Sequence, residues 1–426
     1  MRAGYDRKDF YPALILWFTG TISFAGDIDN LKVLHIGKFF PPARGGMEHY
    51  LGDLLPPLSH AEIDCCVVVH DHKFAFRSRM ELLGEAPNQY PVFRSNRIAN
   101  LVYVPICPSF PGLLKRVLKE FDPDLLHVHL PNASAFWLLA NKSARHIPWV
   151  VQWHADVVSS DIDPLVRIFY KMYRPFESRV LNKAARIIVS SPPYLESSGP
   201  LQKWREKCRV IPLSIDRQRL VPAKTSDHET KRETFNLLAI GRLTYYKGFD
   251  YLIRALAQTK SVRLTLVGTG SLANELTKLA LKLKIENRIN FAGDLEDEEL
   301  ANELSTCDCL CLPSIERTEA FGLVLIEAMQ FSKATIVSDV EGSGMAWVCD
   351  DGVTGIHVPP RNASALASAI QRLDDDPDLC AQLGKNGNDK FGQQFRMDKT
   401  VAMTKTLYLD TINTTAAIED SASTQT

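Results

Sequence analysis

Residues 316–329 read ERTEAFGLVLIEAM, which sets two carboxylates, Glu319 and Glu327, on either side of Gly322. From Leu323 to Met329 every residue except Glu327 is apolar or small, so a helix here is apolar nearly all round and belongs in a core. A carboxylate in that setting is costly to bury without a partner. Ala320, Phe321 and Gly322 lead into the helix, whose first backbone N–H groups make an anion site. Eight helical residues rise about 12 Å. The segment therefore offers a carboxylate before an anion site and a second one a turn or two inside. A sugar joined to a nucleoside through a diphosphate presents the same order of hydroxyls, anions and hydroxyls. The alternative is one capping Glu and one Glu paired within a core.

Outward from this segment, strands and helices alternate. Before it come strand Phe235–Ile240, a helix over 248–258, a strand over 262–268, a helix over 272–283, a strand over 289–291, a helix over 297–305 and a strand over 307–312. After the helix over 322–330 come strand Ala334–Ser338 and a helix over 363–373. Nearer the N-terminus, strands are expected at Leu31–Ile36, Ile63–His70, 101–105, 125–129, Trp149–Trp153 and 186–190, with helices between them. The stretch 221–233 is mostly charged and polar, contains Pro222, and reads as a linker. Such alternation implies mostly parallel sheets covered on both faces. Two runs in tandem make two doubly wound domains, with a ligand expected at the carboxyl ends of strands and between the domains.

At 426 residues the chain is long enough for two such cores. With 45% hydrophobic and 23% charged residues and a net charge of −1, no charge excess points to nucleic acid. The nine cysteines are odd in number and sit in apolar runs such as Cys65-Cys66-Val67, as in a reduced, cytosolic chain. Cys307, Cys309 and Cys311 alternate before Pro313 and read as a core strand, because zinc sites use Cys-x2-Cys pairs. No metal site is expected. Residues 11–24 are apolar but too short to span a bilayer as a simple helix. Ala25-Gly26 leaves a cleaved export signal open as another reading of that stretch.

The Glu319 to Glu327 spacing resembles the E-x7-E motif of retaining nucleotide-sugar glycosyltransferases of the GT-B fold, in particular glycosyltransferase family 4. The resemblance runs from about residue 31 to about 396. It implies an α/β GT-B architecture: two doubly wound Rossmann-like domains facing a central cleft, with a C-terminal helix crossing back to the first. The acceptor domain is then 31–215 with a returning helix at about 396–412, and the nucleotide-sugar donor domain is 216–395. Residues 1–30 become a poorly ordered extension or an upstream start, and 416–426 a disordered tail. In the family the second Glu holds ribose hydroxyls and the first contacts the transferred sugar, which assigns Glu327 and Glu319.

Gly241-Arg242-Leu243, followed by Lys247-Gly248, closes one strand and opens a helix. Two fixed cations there can neutralise a diphosphate as it leaves, and the family match gives Arg242 and Lys247 that role. Val267-Gly268-Thr269-Gly270-Ser271 is a second strand-end loop, weak evidence alone, which the family places near the nucleotide. Ser271 stands where the family has proline, and Ser332-Lys333-Ala334 where it often has Gly-x-Pro. Residues 341–347 and the Asp351-Gly352-Val353-Thr354-Gly355 turn match the pattern of bacterial members. Gly45-Gly46 follows the first strand, and by resemblance Gly46 lines the cleft near the sugar. Trp153-His154-Ala155-Asp156 ends a strand where the family commonly has His-x-Asp, so His154 is carried over to the reacting centre. His127 and His129 alternate on a strand and read as structural. Arg167, Lys171, Arg174, Arg179, Lys183 and Arg186 surround the single acid Glu177, a face for an anionic membrane surface or a lipid-pyrophosphate acceptor, or simply a solvated helix face.

The expected protein is a retaining, metal-independent hexosyltransferase without a cofactor. It takes a nucleoside-diphosphate sugar, mannose ahead of other hexoses, and delivers it to a glycan or lipid-linked hydroxyl. It would act in the cytoplasm or at the inner membrane surface, in surface polysaccharide or glycolipid biosynthesis. Phe321, Gly322 and Leu323 complete the expected donor contacts, and no carboxylate stands out as a nucleophile. Rival readings are a nucleotide-sugar epimerase, a sugar phosphorylase, or a nucleotide-sugar-binding scaffold without turnover. A Rossmann dehydrogenase is disfavoured, because Gly37 and a proline-containing loop follow the first strand in place of Gly-x-Gly-x-x-Gly.

Overall fold

Short apolar runs become strands where a glycine or proline closes them: Leu31–Ile36 stops at Gly37 and Cys309–Leu312 at Pro313. The computed structural model describes residues 30–101, 104–157, 164–222 and 234–423. The expected N-terminal extension up to residue 29, and the expected linker from residue 223 on, lie outside them.

In chain order the strands are β1 (Leu31–Ile36), β2 (Ile63–His70), β3 (Arg79–Leu83), β4 (Tyr90–Ser95), β5 (Ala99–Leu101), β6 (Val104–Ile106), β7 (Leu125–Leu130) and β8 (Trp149–Trp153). They continue with β9 (Arg186–Val189), β10 (Cys208–Val210), β11 (Phe235–Ile240), β12 (Val262–Val267), β13 (Ile289–Gly293), β14 (Cys309–Leu312), β15 (Ala334–Ser338) and β16 (Gly355–Val358). The helices are α1 (Gly46–His60), α2 (Phe110–Phe121), α3 (Trp137–Ala140), α4 (Pro164–Lys183), α5 (Pro192–Ser197), α6 (Phe249–Leu256) and α7 (Ala273–Leu283). They are followed by α8 (Asp297–Thr306), α9 (Leu323–Gln330), α10 (Met345–Val348), α11 (Ala363–Asp375), α12 (Pro377–Gln394) and α13 (Met397–Ser423).

The chain divides into two compact units: 1–189, 199–211 and 401–426 form the first, and 190–198 with 212–400 the second. The first unit holds an eight-stranded sheet in the order β10-β9-β8-β7-β1-β2-β4-β3. Its strands run parallel except β3, which lies antiparallel to β4 at the edge. β7 and β8 are buried at every residue, as parallel strands covered on both faces must be. The second unit holds six parallel strands in the order β13-β12-β11-β14-β15-β16. Strand order reverses between β7 and β1 in one sheet and between β11 and β14 in the other. Crevices at such reversals, outside the carboxyl ends of the strands, are where doubly wound folds bind ligands.

Several elements differ from expectation. The strand expected at 101–105 is a β5–β6 hairpin: Asn100 lies opposite Pro105, whose missing N–H is tolerated in a two-stranded ribbon. α5 falls to the second unit because Ser197 Oγ donates to the Gly342 carbonyl at 2.8 Å and a side-chain carbon on Gly344 would meet Ser191. α12 was not expected. Its Gly384 and Gly387 weaken a helical pattern, yet they let it lie against the Ser332 backbone and Met329. α13 begins where a last helix was expected and stays helical to Ser423, since extending a formed helix adds a bond per residue fixed. From Val401 on it belongs to the first unit. There Lys405 Nζ donates to the Ala61 carbonyl at 2.7 Å, and the Tyr408 hydroxyl lies 2.5 Å from His127 Nδ1.

Candidate active site

In the second unit the site is built at the β11/β14 reversal. After β11, the turn through Tyr245 to Gly248 brings Lys247 inward. Gly248 has φ +66°, and a side-chain carbon on it would sit 2.2 Å from the Pro313 carbonyl oxygen, so only glycine lets this turn rest on the loop after β14. The Ile315 N–H donates to the Tyr246 carbonyl at 2.8 Å and fixes the contact. Lys247 Nζ then meets Glu319 at 2.5 Å. From behind, Ser343 Oγ donates to the Glu319 carbonyl at 2.5 Å and the Gly344 N–H to the Ala320 carbonyl at 2.9 Å. The small-residue loop at 341–345 is thus the backing of the Glu319 loop.

Burial pulls the Lys247 ammonium down, but the Glu319 carboxylate and Tyr246 more than offset it, so it stands above its ordinary value. Arg242 is exposed, and its charge is felt at Lys247 in the opposite sense. Gly268 and Gly270 serve packing. A side-chain carbon on Gly268 would lie 2.1 Å from the Gly241 oxygen, and one on Gly270 2.4 Å from the Leu243 oxygen, so the two strand-end loops meet backbone to backbone. Ser271 is exposed. Phe321 is buried, with its ring 5.9 Å from that of Phe395, and Gly322, at φ +81°, turns the chain into α9, whose first residue is Leu323.

Glu327 is 5% exposed within α9, and its partner is Arg219, whose guanidinium donates to Glu327 Oε1 at 2.5 Å and to Asp297 at 3.0 Å. The need for a cation was legible in the apolar helix. Its identity was not, because Arg219 lies 108 residues away with no pattern linking the two. The structure thus gathers Arg242, Lys247, Glu319, Gly322, Leu323 and Glu327 in one unit, while Gly46 and His154 belong to the other.

In the first unit, Gly46 opens α1 at the surface. His154 follows β8, where its N–H donates to the Leu130 carbonyl at 3.0 Å. Its ring is buried and burial pushes it down to about 3, so it is neutral at physiological pH. Its Nε2 lies 3.1 Å from His129 Nδ1, a contact that follows from side chains on one face of adjacent strands. Two residues on, Asp156 accepts from Trp153 Nε1 at 2.9 Å.

Glu177 of α4 is also buried, and burial together with the Asp156 charge pushes its carboxyl up to about 8. A carboxyl raised in the folded state binds its proton more tightly there. Its stabilising effect is complete below about pH 4.5 and is lost as pH rises through about 8. Glu177→Gln is therefore expected to match the parent near pH 4.5 and to exceed it by a few kcal/mol at pH 8. Urea unfolding across that range reads this, and parallel pH profiles for the two proteins would rule it out. α4 exposes Ile168, Met172 and Phe176 beside Lys171, Arg174 and Arg179, so the basic face read from the sequence is apolar as well. Among the described residues no helix is long and apolar enough to cross a membrane.

Two doubly wound domains, one of them with a paired cation and carboxylate at a strand-order reversal, are what the resemblance to the GT-B class predicts. The profile described as Glycosyltransferase Family 4 matches residues 44–219, and that described as Glycosyl transferases group 1 matches residues 222–390. The D-rhamnosyltransferase WbpZ of Pseudomonas aeruginosa is 31% identical over 296 residues, covering 67% of this chain and 74% of that protein. The O-antigen chain mannosyltransferase C of Escherichia coli is 27% identical over 386 residues, covering 89% and 98%. Among solved structures, a sucrose-phosphate synthase from Thermosynechococcus elongatus has a TM-score of 0.74 and 24% identity over 89% of this chain and 99% of that one, a likeness of fold. The chain belongs to the family 4 glycosyltransferases of GT-B fold.

Proposed function

We propose that this glycosyltransferase is a retaining, metal-independent hexosyltransferase. It would move a sugar from a nucleoside diphosphate to a hydroxyl acceptor during assembly of a surface polysaccharide or glycolipid. The observation that carries this reading is the Lys247–Glu319 pair at the β11/β14 reversal, with Glu327 inside the following helix. Lys247, Arg242 and the start of α9 are the groups to receive the diphosphate, and positive charge there counts most as that group departs. Among the described residues Glu327 Oε2 and Glu319 Oε1 have no protein partner, which suits them to hydroxyls of the ribose and of the transferred sugar. Gly46 and His154 would serve the sugar and acceptor. The mannosyl- and rhamnosyltransferase relatives favour mannose or a sugar close to it.

Thermal unfolding with GDP, UDP, ADP and dTDP in turn tests this. The preferred nucleotide at 100 times its dissociation constant stabilises by about 2.7 kcal/mol. If none of them moves the transition, the reading fails. Retention is read from the anomeric configuration of the product, and metal independence from unchanged turnover in excess chelator.

A further inference from the structure

One face of the first sheet carries a row of buried imidazoles. His35 on β1 pairs in register with His127 on β7, and His129, two residues along, pairs with Gln152 on β8, which His154 follows two residues later. His35 Nδ1 lies 3.4 Å from His129 Nε2, and His129 Nδ1 lies 3.1 Å from His154 Nε2. The rings of His129 and His154 stack at 5.4 Å, and those of His127 and His129 at 4.4 Å. Burial holds all four neutral.

A neutral imidazole has one N–H and one lone pair, so protons along His35, His129 and His154 must all be ordered in one sense. Ordered inward, the row ends in a buried His35 Nε2–H with no acceptor. Ordered outward, it ends in a bare His35 Nε2 and leaves the His154 proton on Nδ1. Among buried backbone groups, donors without partners are rarer than acceptors without them, and the same preference applied to the imidazoles selects the outward sense. His127 stands outside the row. Its Nδ1 lies 2.5 Å from the Tyr408 hydroxyl.

We infer that His129 is a positioning residue, fixing His154 as the Nδ1–H tautomer so that His154 offers the substrate a hydrogen-bond donor instead of a base. The consequence for turnover rests on the proposed place of His154 beside the sugar; the tautomer does not. His35, His127 and His129 also present ligand atoms within 4.8 Å of one another. A divalent cation there would be buried without an anionic ligand, since no carboxylate bonds to any of the three among the described residues, and this disfavours a metal centre.

The test is imidazole nitrogen NMR of the full chain labelled with 15N-histidine, with the His154 signals assigned by their loss in His154→Gln. The parent is expected to show a protonated Nδ1 and a bare Nε2. His129→Asn, whose amide N–H takes the place of Nδ1–H, is expected to keep that pattern, and His129→Leu to lose it. With sugar transfer as readout, His129→Leu lowers kcat by about a hundredfold at nearly constant donor KM, and His129→Asn recovers much of it. A proton on His154 Nε2 in the parent overturns the inference, whether or not the leucine variant folds. So does a pattern unchanged in His129→Leu, or stoichiometric zinc in the purified parent. Full transfer by His154→Gln with the tautomer as expected would remove His154 from the reaction and leave the lock standing.

Discussion

Lys247→Ala is expected to lower the rate of sugar transfer by about two to three orders of magnitude, the loss typical of removing one preorganised charge from a reacting centre. The side chain is buried, so its ammonium acts through little intervening water, and Glu319 keeps it protonated. Its stem lies against Gly241, where a side-chain carbon would come within 2.9 Å of Lys247 Cε. That fit admits a slim chain ending in a point charge. Lys247→Arg should therefore restore little, since a planar guanidinium needs more width. Product formation under saturating donor measures the effect, with nucleoside-diphosphate stabilisation falling in parallel. An alanine variant within threefold of the parent would remove Lys247 from the mechanism.

Arg219→Ala is expected to destabilise the second unit by about 3–5 kcal/mol, the range for removing one member of a buried ion pair. Arg219 and Glu327 are both nearly inaccessible, and Glu327 sits in a helix that is otherwise apolar. Without the guanidinium its carboxylate is left in an apolar helix with no other cation paired to it among the described residues. Urea unfolding of the variant reads the loss. The double variant Arg219→Met with Glu327→Gln should recover most of it, because it removes both charges at similar volume. A single variant within about 1 kcal/mol of the parent would show that Arg219 is not what makes Glu327 tolerable.

Much of the fold was legible because parallel strands buried on both faces are apolar runs, and runs such as Ile63–His70 and Ala334–Ser338 announce themselves. What escaped has particular causes. β3 is a short edge strand that includes Arg79 and Glu81, two ends of an ion pair, and β4 carries buried Arg94, so neither reads as apolar. α12 was hidden by glycines that helix propensity counts against, yet close approach to Ser332 requires. At the site, Glu319, Lys247 and Glu327 could be marked by local spacing and by resemblance. Arg219 could not, and neither could the link between His129 and His154, because both arise only when separate strands and loops come together.

α13 has a consequence for how the protein is made. The first unit includes residues from Val401 on, among them Tyr408 against His127 and Lys405 against Ala61. A ribosome emits residues 212–400 between the first unit's earlier segments and this last one, an interval of roughly 10 to 40 s at 5–20 residues per second. The half of the molecule that begins synthesis first is therefore the half completed last. Until the final helix emerges, the nascent N-terminal sheet waits with Tyr408 missing from its buried His127, a window in which chaperones have a surface to hold.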